Sequence, residues 1–141
     1  MGKKRVIRKS GEGEVSAIRQ ASSSRKRLTQ GVVHIFATYN NTLISLTDAR
    51  GNLFSQYSSG RAGFSGSKKG TPYAATKAAE FIADRARDMG VTDLSIRIKG
   101  LGSGRESALR VFGQKGFAIG SIRDITPIPH GIPRLKKPRR V

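Results

Sequence analysis

Residues 71–99, TPYAATKAAEFIADRARDMGVTDLSIRIK, decide the fold. Thr71 offers an N-cap hydroxyl and Pro72 takes the first helical position, where its missing N–H removes no helical bond. Gly90 supplies the left-handed backbone on which helices end. Between these limits Ala75, Ala78, Ala79, Ile82, Ala86 and Met89 share one narrow sector at helical spacing, a small-residue stripe able to lie close against a sheet. Leu94, Ile96 and Ile98 then alternate with Ser95, Arg97 and Lys99, which predicts a strand with an apolar inner face and a cationic outer one. A helix with a single apolar stripe leading into a half-buried strand is a building unit of an α/β layer.

On the N-terminal side a strand begins at Gly31, with Val33, Ile35, Ala37 and Tyr39 on one face and His34, Phe36 and Thr38 on the other. Asn40-Asn41 turns it into a second strand over 42–48, where Ile44 and Leu46 share a face. Asp48-Ala49-Arg50-Gly51-Asn52 is a polar turn into a third strand near 53–58, completing an antiparallel meander. Gly60–Gly70 is glycine-rich and basic and reads as a flexible loop. On the C-terminal side Ser103-Gly104-Arg105-Glu106 reads as a capping box opening a second helix over about 104–115, with Gly116 as its stop. A last strand near 117–125 follows. The fold class is therefore α/β, β-β-β-α-β-α-β: a mixed five-strand sheet covered by two helices with right-handed crossovers, an arrangement that resembles ribonuclease-H-like topology.

The chain carries a formal net charge of +18 over 141 residues, distributed as +7 in residues 1–30, +6 in 31–126 and +5 in 127–141. That division defines a basic N-terminal arm, a globular domain and a basic Pro-rich tail. Residues 1–30 show no periodicity and lack the apolar content to offset chain entropy, so the arm alone is expected to be disordered. Pro127, Pro129, Pro133 and Pro138 keep the tail extended. A solubility surface mixes its signs, whereas an excess gathered at two chain ends points to a polyanion, with phosphate contacts releasing condensed counterions. The absence of cysteine excludes disulfides and thiolate metal sites. No run is apolar enough to span a membrane and the start lacks a secretory pattern; a transit peptide fits poorly with Glu12 and Glu14, so the cytosol is the expected compartment.

Lys99-Gly100-Leu101-Gly102-Ser103-Gly104-Arg105 lies between a strand and a helix N-terminus, where unpaired N–H groups and the helix dipole favour an anion. An RNA phosphate cradle, a plain βα turn and a mononucleotide site all remain open there, although the glycine spacing matches no nucleotide fingerprint. In the loop 60–70, Arg61, Lys68 and Lys69 are candidates for phosphate, and Phe64 either stacks on a base or anchors the loop. The tail run Pro133–Arg140 suits threading along nucleic acid or, alternatively, a nuclear-localisation role. Glu80, Asp84 and Asp88 recur at helical spacing but share their face with Lys77 and Arg87, so a solvated side outweighs a carboxylate centre. His34 and His130 are far apart in sequence: His34 reads as a sheet residue and His130 as a polar tail contact. With no nucleophile–base pair, and no carboxylates at strand centres for a two-metal nuclease, the reading is not an enzyme.

Seven ordered segments carry a resemblance: GVVHI (31–35), FATYNNT (36–42), TDARG (47–51), SGRAGF (59–64), KKGTPYAA (68–75), KGLGSGR (99–105) and RDITPIPH (123–130). Together they closely resemble the universal family of ribosomal protein eleven of the small subunit, bacterial-type, from about residue 28 to the C-terminus. The resemblance implies a structural, non-catalytic protein on the platform of the small subunit. It would bridge small-subunit rRNA helices and help form the cleft holding the Shine-Dalgarno duplex and departing mRNA. Implied partners are small-subunit proteins seven and eighteen, with initiation factor three nearby; no cofactor, membrane or small-molecule substrate is implied, and the location is the ribosome of the cytoplasm or of an organelle. The implied rRNA contacts fall on Arg61, Lys68, Lys69, Lys99, Gly100, Gly102, Gly104 and Arg105, and on the tail through His130, Arg134, Lys136, Lys137, Arg139 and Arg140. Bacterial members usually end HNGCRPPKKRR, whereas residues 130–140 here read HGIPRLKKPRR, without the Asn and the Cys.

Overall fold

A computed structural model describes residues 29–131, 134 and 136–138. The expected disorder of residues 1–28 and the tail positions Pro133, Arg139 and Arg140 lie outside the described residues. The elements run β1 (Gln30–Ala37), β2 (Thr42–Thr47), β3 (Leu53–Ser58), α1 (Pro72–Asp88), β4 (Asp93–Lys99), α2 (Gly104–Gln114) and β5 (Ala118–Asp124). They form one five-stranded sheet in the order β3-β2-β1-β4-β5. The meander β1-β2-β3 is antiparallel, while β4 and β5 add in parallel through the helical crossovers, as the sequence pattern requires.

Local chemistry explains the punctuation. In the β2–β3 turn one Asp48 carboxylate oxygen accepts the N–H groups of Arg50 at 2.8 Å and Asn52 at 2.9 Å, and Gly51 takes φ +92°. The Asn52 side chain donates to the other oxygen at 2.8 Å and is the main reason the Asp48 carboxyl titrates below its ordinary value. Thr71 caps α1 by accepting the Ala74 N–H at 3.3 Å while its own hydroxyl donates to the Lys68 carbonyl at 2.7 Å, so the cap also ties down the preceding loop.

Both helices cover the same face of the sheet. Val33, Ile35, Ile44, Leu46, Leu94 and Ile96 meet the buried stripe of α1 and, from α2, Ala108, Val111 and Phe112. Each large aliphatic side chain so buried stabilises the fold by about 1.5–3 kcal/mol. The stripe is wider than the sequence sector, because Ala74 and Ala83 are buried too. At Gly104 a Cβ would overlap the Thr42 hydroxyl and come within 2.7 Å of the Ala75 Cβ, so α2 begins by resting on the alanine face of α1.

Four readings are corrected. Tyr39 is 76% exposed, because β1 ends at Ala37 and the turn closed by Thr38 N–H to the Asn41 carbonyl at 2.9 Å breaks the alternation. Gln30, assigned to the arm, is already in β1 and pairs with Asp93. The loop 60–70 contains a 3-10 turn, Gly66–Gly70, that leads straight into the Thr71 cap. The capping box does not form: Ser103 has helical backbone angles, and its hydroxyl donates to the Gly70 carbonyl at 2.9 Å instead of capping its own helix.

Candidate nucleic-acid interface

The glycines of the 99–105 loop are required by chain packing. A Cβ on Gly100 would overlap the Ala37 carbonyl oxygen and one on Gly102 the Thr38 carbonyl oxygen, both backbone atoms. Gly100 also holds φ +96°, which a side chain disfavours. The Gly102 N–H donates to the Ala37 carbonyl at 3.0 Å and the Gly100 N–H to the Thr126 hydroxyl oxygen at 3.1 Å. Two N–H groups expected to face an anion are thus used within the fold. The N-cap side chain of α2 makes no capping bond, and the Arg105 N–H donates to the Gly102 carbonyl at 3.4 Å.

Arg105 is likewise engaged. Its guanidinium donates to the Gly100 carbonyl at 2.8 Å and pairs with the Asp124 carboxylate. Asp124 also accepts the Thr126 hydroxyl at 2.5 Å and the Thr126 N–H at 2.9 Å, so the hydroxyl spends its proton on Asp124 and its lone pair on Gly100. These four residues clasp the end of β5 to the glycine loop, fixing where the basic tail leaves the domain. The Thr126 hydroxyl first, then the Thr126 N–H and Arg105, hold the Asp124 carboxyl at about 2. Because the folded value is depressed, the stability this carboxylate contributes is complete above the unfolded value of about 4 and is lost as pH falls towards about 2. A carbon-detected NMR titration is expected to place the Asp124 midpoint near 2, with the Thr126 amide shift following it; an unshifted midpoint would remove the clasp.

In the 60–70 loop Arg61 and Lys68 are exposed and Lys69 half-buried. The Arg61 guanidinium lies 5.5 Å from the Tyr57 ring centre. Phe64 meets Tyr73 edge-on at 5.8 Å and is half-buried, which is the anchoring arrangement. On α1, Glu80 pairs with Lys77 at 2.9 Å and Asp84 with Lys115 of the α2 C-terminal turn at 2.7 Å, so these carboxylates belong to a solvated face. Among the described residues no group of three His, Cys, Asp or Glu is placed to hold a metal ion. Lys99, His130, Arg134, Lys136 and Lys137 are exposed.

The opposite face of the sheet is covered by no element among the described residues. Strand register assembles a row across it, Gln56, Ser45, His34, Arg97 and Arg123, and beside it Leu43, Phe36 and Lys99. The outward cations of β4 are legible in its alternation. Arg123, by contrast, joins them only through the parallel pairing of β5, and Phe36 is 40% exposed there. The His34 Nε2 lies 3.1 Å from the Thr47 hydroxyl oxygen, which itself donates to the Val32 carbonyl at 3.3 Å. The Thr47 proton being spent, the His34 Nε2 carries the donor hydrogen and Nδ1 is left as the acceptor.

A family model described as Ribosomal protein S11 matches residues 31–140. The Small ribosomal subunit protein uS11 of Chromobacterium violaceum is 48% identical over 126 residues, which is 89% of this chain and 96% of that protein. The protein of the same name from Rhizorhabdus wittichii is 54% identical over 117 residues, 83% of this chain and 91% of its own. Every strand and helix of the sheet, the glycine loop and the described tail residues fall inside the matched stretch apart from Gln30. The chain belongs to the ribosomal protein S11 family.

Proposed function

We propose that the chain is a structural, non-catalytic constituent of the small ribosomal subunit that binds rRNA and holds rRNA helices together on the subunit platform, beside the path of departing mRNA. The observation that carries this reading is the convergence at one edge of Lys99, the α2 N-terminus and the clasped start of an acid-free basic tail. Such a site neutralises phosphates on neighbouring helices while the sheet fixes their spacing. The names of its relatives support the ribosomal setting.

The contacts are assigned to Arg61, Lys68 and Lys69 on one loop, to Lys99 at the other, and to His130, Arg134, Lys136, Lys137, Arg139 and Arg140, while Gly100, Gly102 and Gly104 serve the site by letting the loop lie against β1 and α1. Arg105 acts mainly by positioning the loop and tail, since its charge is already paired with Asp124. Small-subunit proteins seven and eighteen are the proposed neighbours, with initiation factor three close by. The test is sedimentation of cell extract through sucrose at high salt, with the full chain tagged. It is expected in the small-subunit peak and crosslinked to rRNA through its tail. A chain found only with free RNA would make it a stand-alone nucleic-acid binder.

A further inference from the structure

We propose that the uncovered sheet face is a second RNA site, one that takes an unpaired segment: a base stacks on Phe36 while Arg97 and Arg123 hold the flanking phosphates. This rests on the reading of RNA as the partner, but not on the loop and tail contacts, with which it shares Lys99 alone.

Charge complementarity selects the occupant. The rows through His34 and Phe36 place Arg97, Arg123 and Lys99 side by side on adjacent strands and include no acidic residue. Asp124, the nearest carboxylate on β5, is spent on Arg105 and Thr126. The N-terminal arm, with nine cationic against two acidic residues in 1–30, shares the sign of this face and so lacks the charge complementarity an occupant needs. A second copy docked face to face would oppose the same cations across its symmetry axis.

The shape separates unpaired from paired RNA. A concavity of about 210 Å³ lies between Phe36, Leu43, His34, Arg97, Lys99 and Ile125. Its aromatic wall is half open, and the Lys99 ammonium lies 5.7 Å from the ring centre, on a flexible stem that can swing to a phosphate. Bases in an A-form duplex are stacked on each other and offer no face to a ring, whereas a splayed base does. Guanidinium groups on two neighbouring parallel strands suit the phosphates on either side of it. His34 adds an acceptor: partial burial and then the Arg97 charge lower its pKa, so it is neutral at physiological pH and its Nδ1 suits a ribose 2′-hydroxyl.

The experiment uses the full chain, a fluorescein-labelled single-stranded RNA of about ten nucleotides, and an RNA duplex as the comparison. Phe36→Leu keeps the apolar bulk and is expected to weaken single-strand binding about tenfold. Arg97→Gln with Arg123→Gln is expected to flatten the salt dependence by about 1.4 log units per decade. Duplex affinity and thermal melting should hold in both variants. Single strands carrying 4-thiouridine should crosslink to β1 and β4 of the unmodified chain, a readout independent of any variant's folding. Unchanged single-strand affinity in both variants, or crosslinks confined to the tail and loops, overturns the proposal. So does polyglutamate displacing the RNA and binding more tightly, with the same sensitivity to the variants, because the occupant would then be an acidic protein. Failure of these tests in a chain that still sediments with small subunits refutes this face alone. Binding here by a chain that never joins a subunit refutes the ribosomal reading instead.

Discussion

Gly100→Ala is expected to destabilise the domain by about 3 kcal/mol or more, a fall in Tm on the order of 15 °C for a domain of this size. Two costs coincide at that position. The backbone sits at φ +96°, where an L side chain is strained, and the new methyl would overlap the Ala37 carbonyl oxygen. That oxygen cannot yield cheaply, because it belongs to the central strand and already holds the Gly102 N–H at 3.0 Å. Gly113→Ala is the control. Gly113 lies inside α2, has no atom within 4 Å of an added Cβ and shows no positive φ. There the substitution should gain about 0.5–1 kcal/mol by restricting the unfolded chain. Parallel circular-dichroism melts read both; a Gly100→Ala protein melting with the parent would contradict the close approach of loop and strand.

Removing residues 127–141 is expected to leave melting nearly unchanged while RNA affinity falls on the order of a hundred- to a thousandfold at low salt. The deleted segment carries five Lys and Arg and no acidic residue. The salt dependence of binding to duplex RNA should become shallower by about 4.5 log units per decade. The core keeps its stability because Thr126, the last residue among the described ones with a hydrogen bond to the domain, is retained with the Asp124 and Gly100 bonds that hold it. Filter binding across a salt series measures the slope, and gradient sedimentation measures entry into small subunits. An unchanged slope would show that the tail neutralises no phosphates.

Features that depend on near neighbours in the chain are legible in the amino-acid sequence. The β4 alternation, the Thr71 and Pro72 start of α1 and the Gly90 stop each depend on neighbours within a turn or two. The strand directions follow because short turns force an antiparallel meander and helical crossovers force parallel pairs, whereas the docking of β4 beside β1 rather than β3 is set by the tertiary fold. Tyr39 misleads because alternation does not announce where a strand stops hydrogen-bonding. Ser103 misleads because its hydroxyl has a better partner, the Gly70 carbonyl, brought near only by the tertiary fold. The same limit hides the meaning of the 99–105 glycines: their spacing resembles an anion loop, yet their constraint is a strand encoded some sixty residues earlier. Arg105 reads as a free cation for the corresponding reason, since Asp124 reaches it only once β5 has docked beside β4.

The central pairing of β1 with β4 has a kinetic consequence. Its partners are separated in the chain by the whole meander, the basic loop and α1, so this sheet cannot be completed by zipping from a hairpin. Closing so long a segment makes acquisition of the native state slow relative to local helix and hairpin formation. Until that closure the cations of β4 and β5 are scattered on a polybasic coil that attracts any polyanion without preference. Discrimination among RNAs therefore dates from the moment β4 slots in beside β1, and a newly made chain is at its most promiscuous just before it.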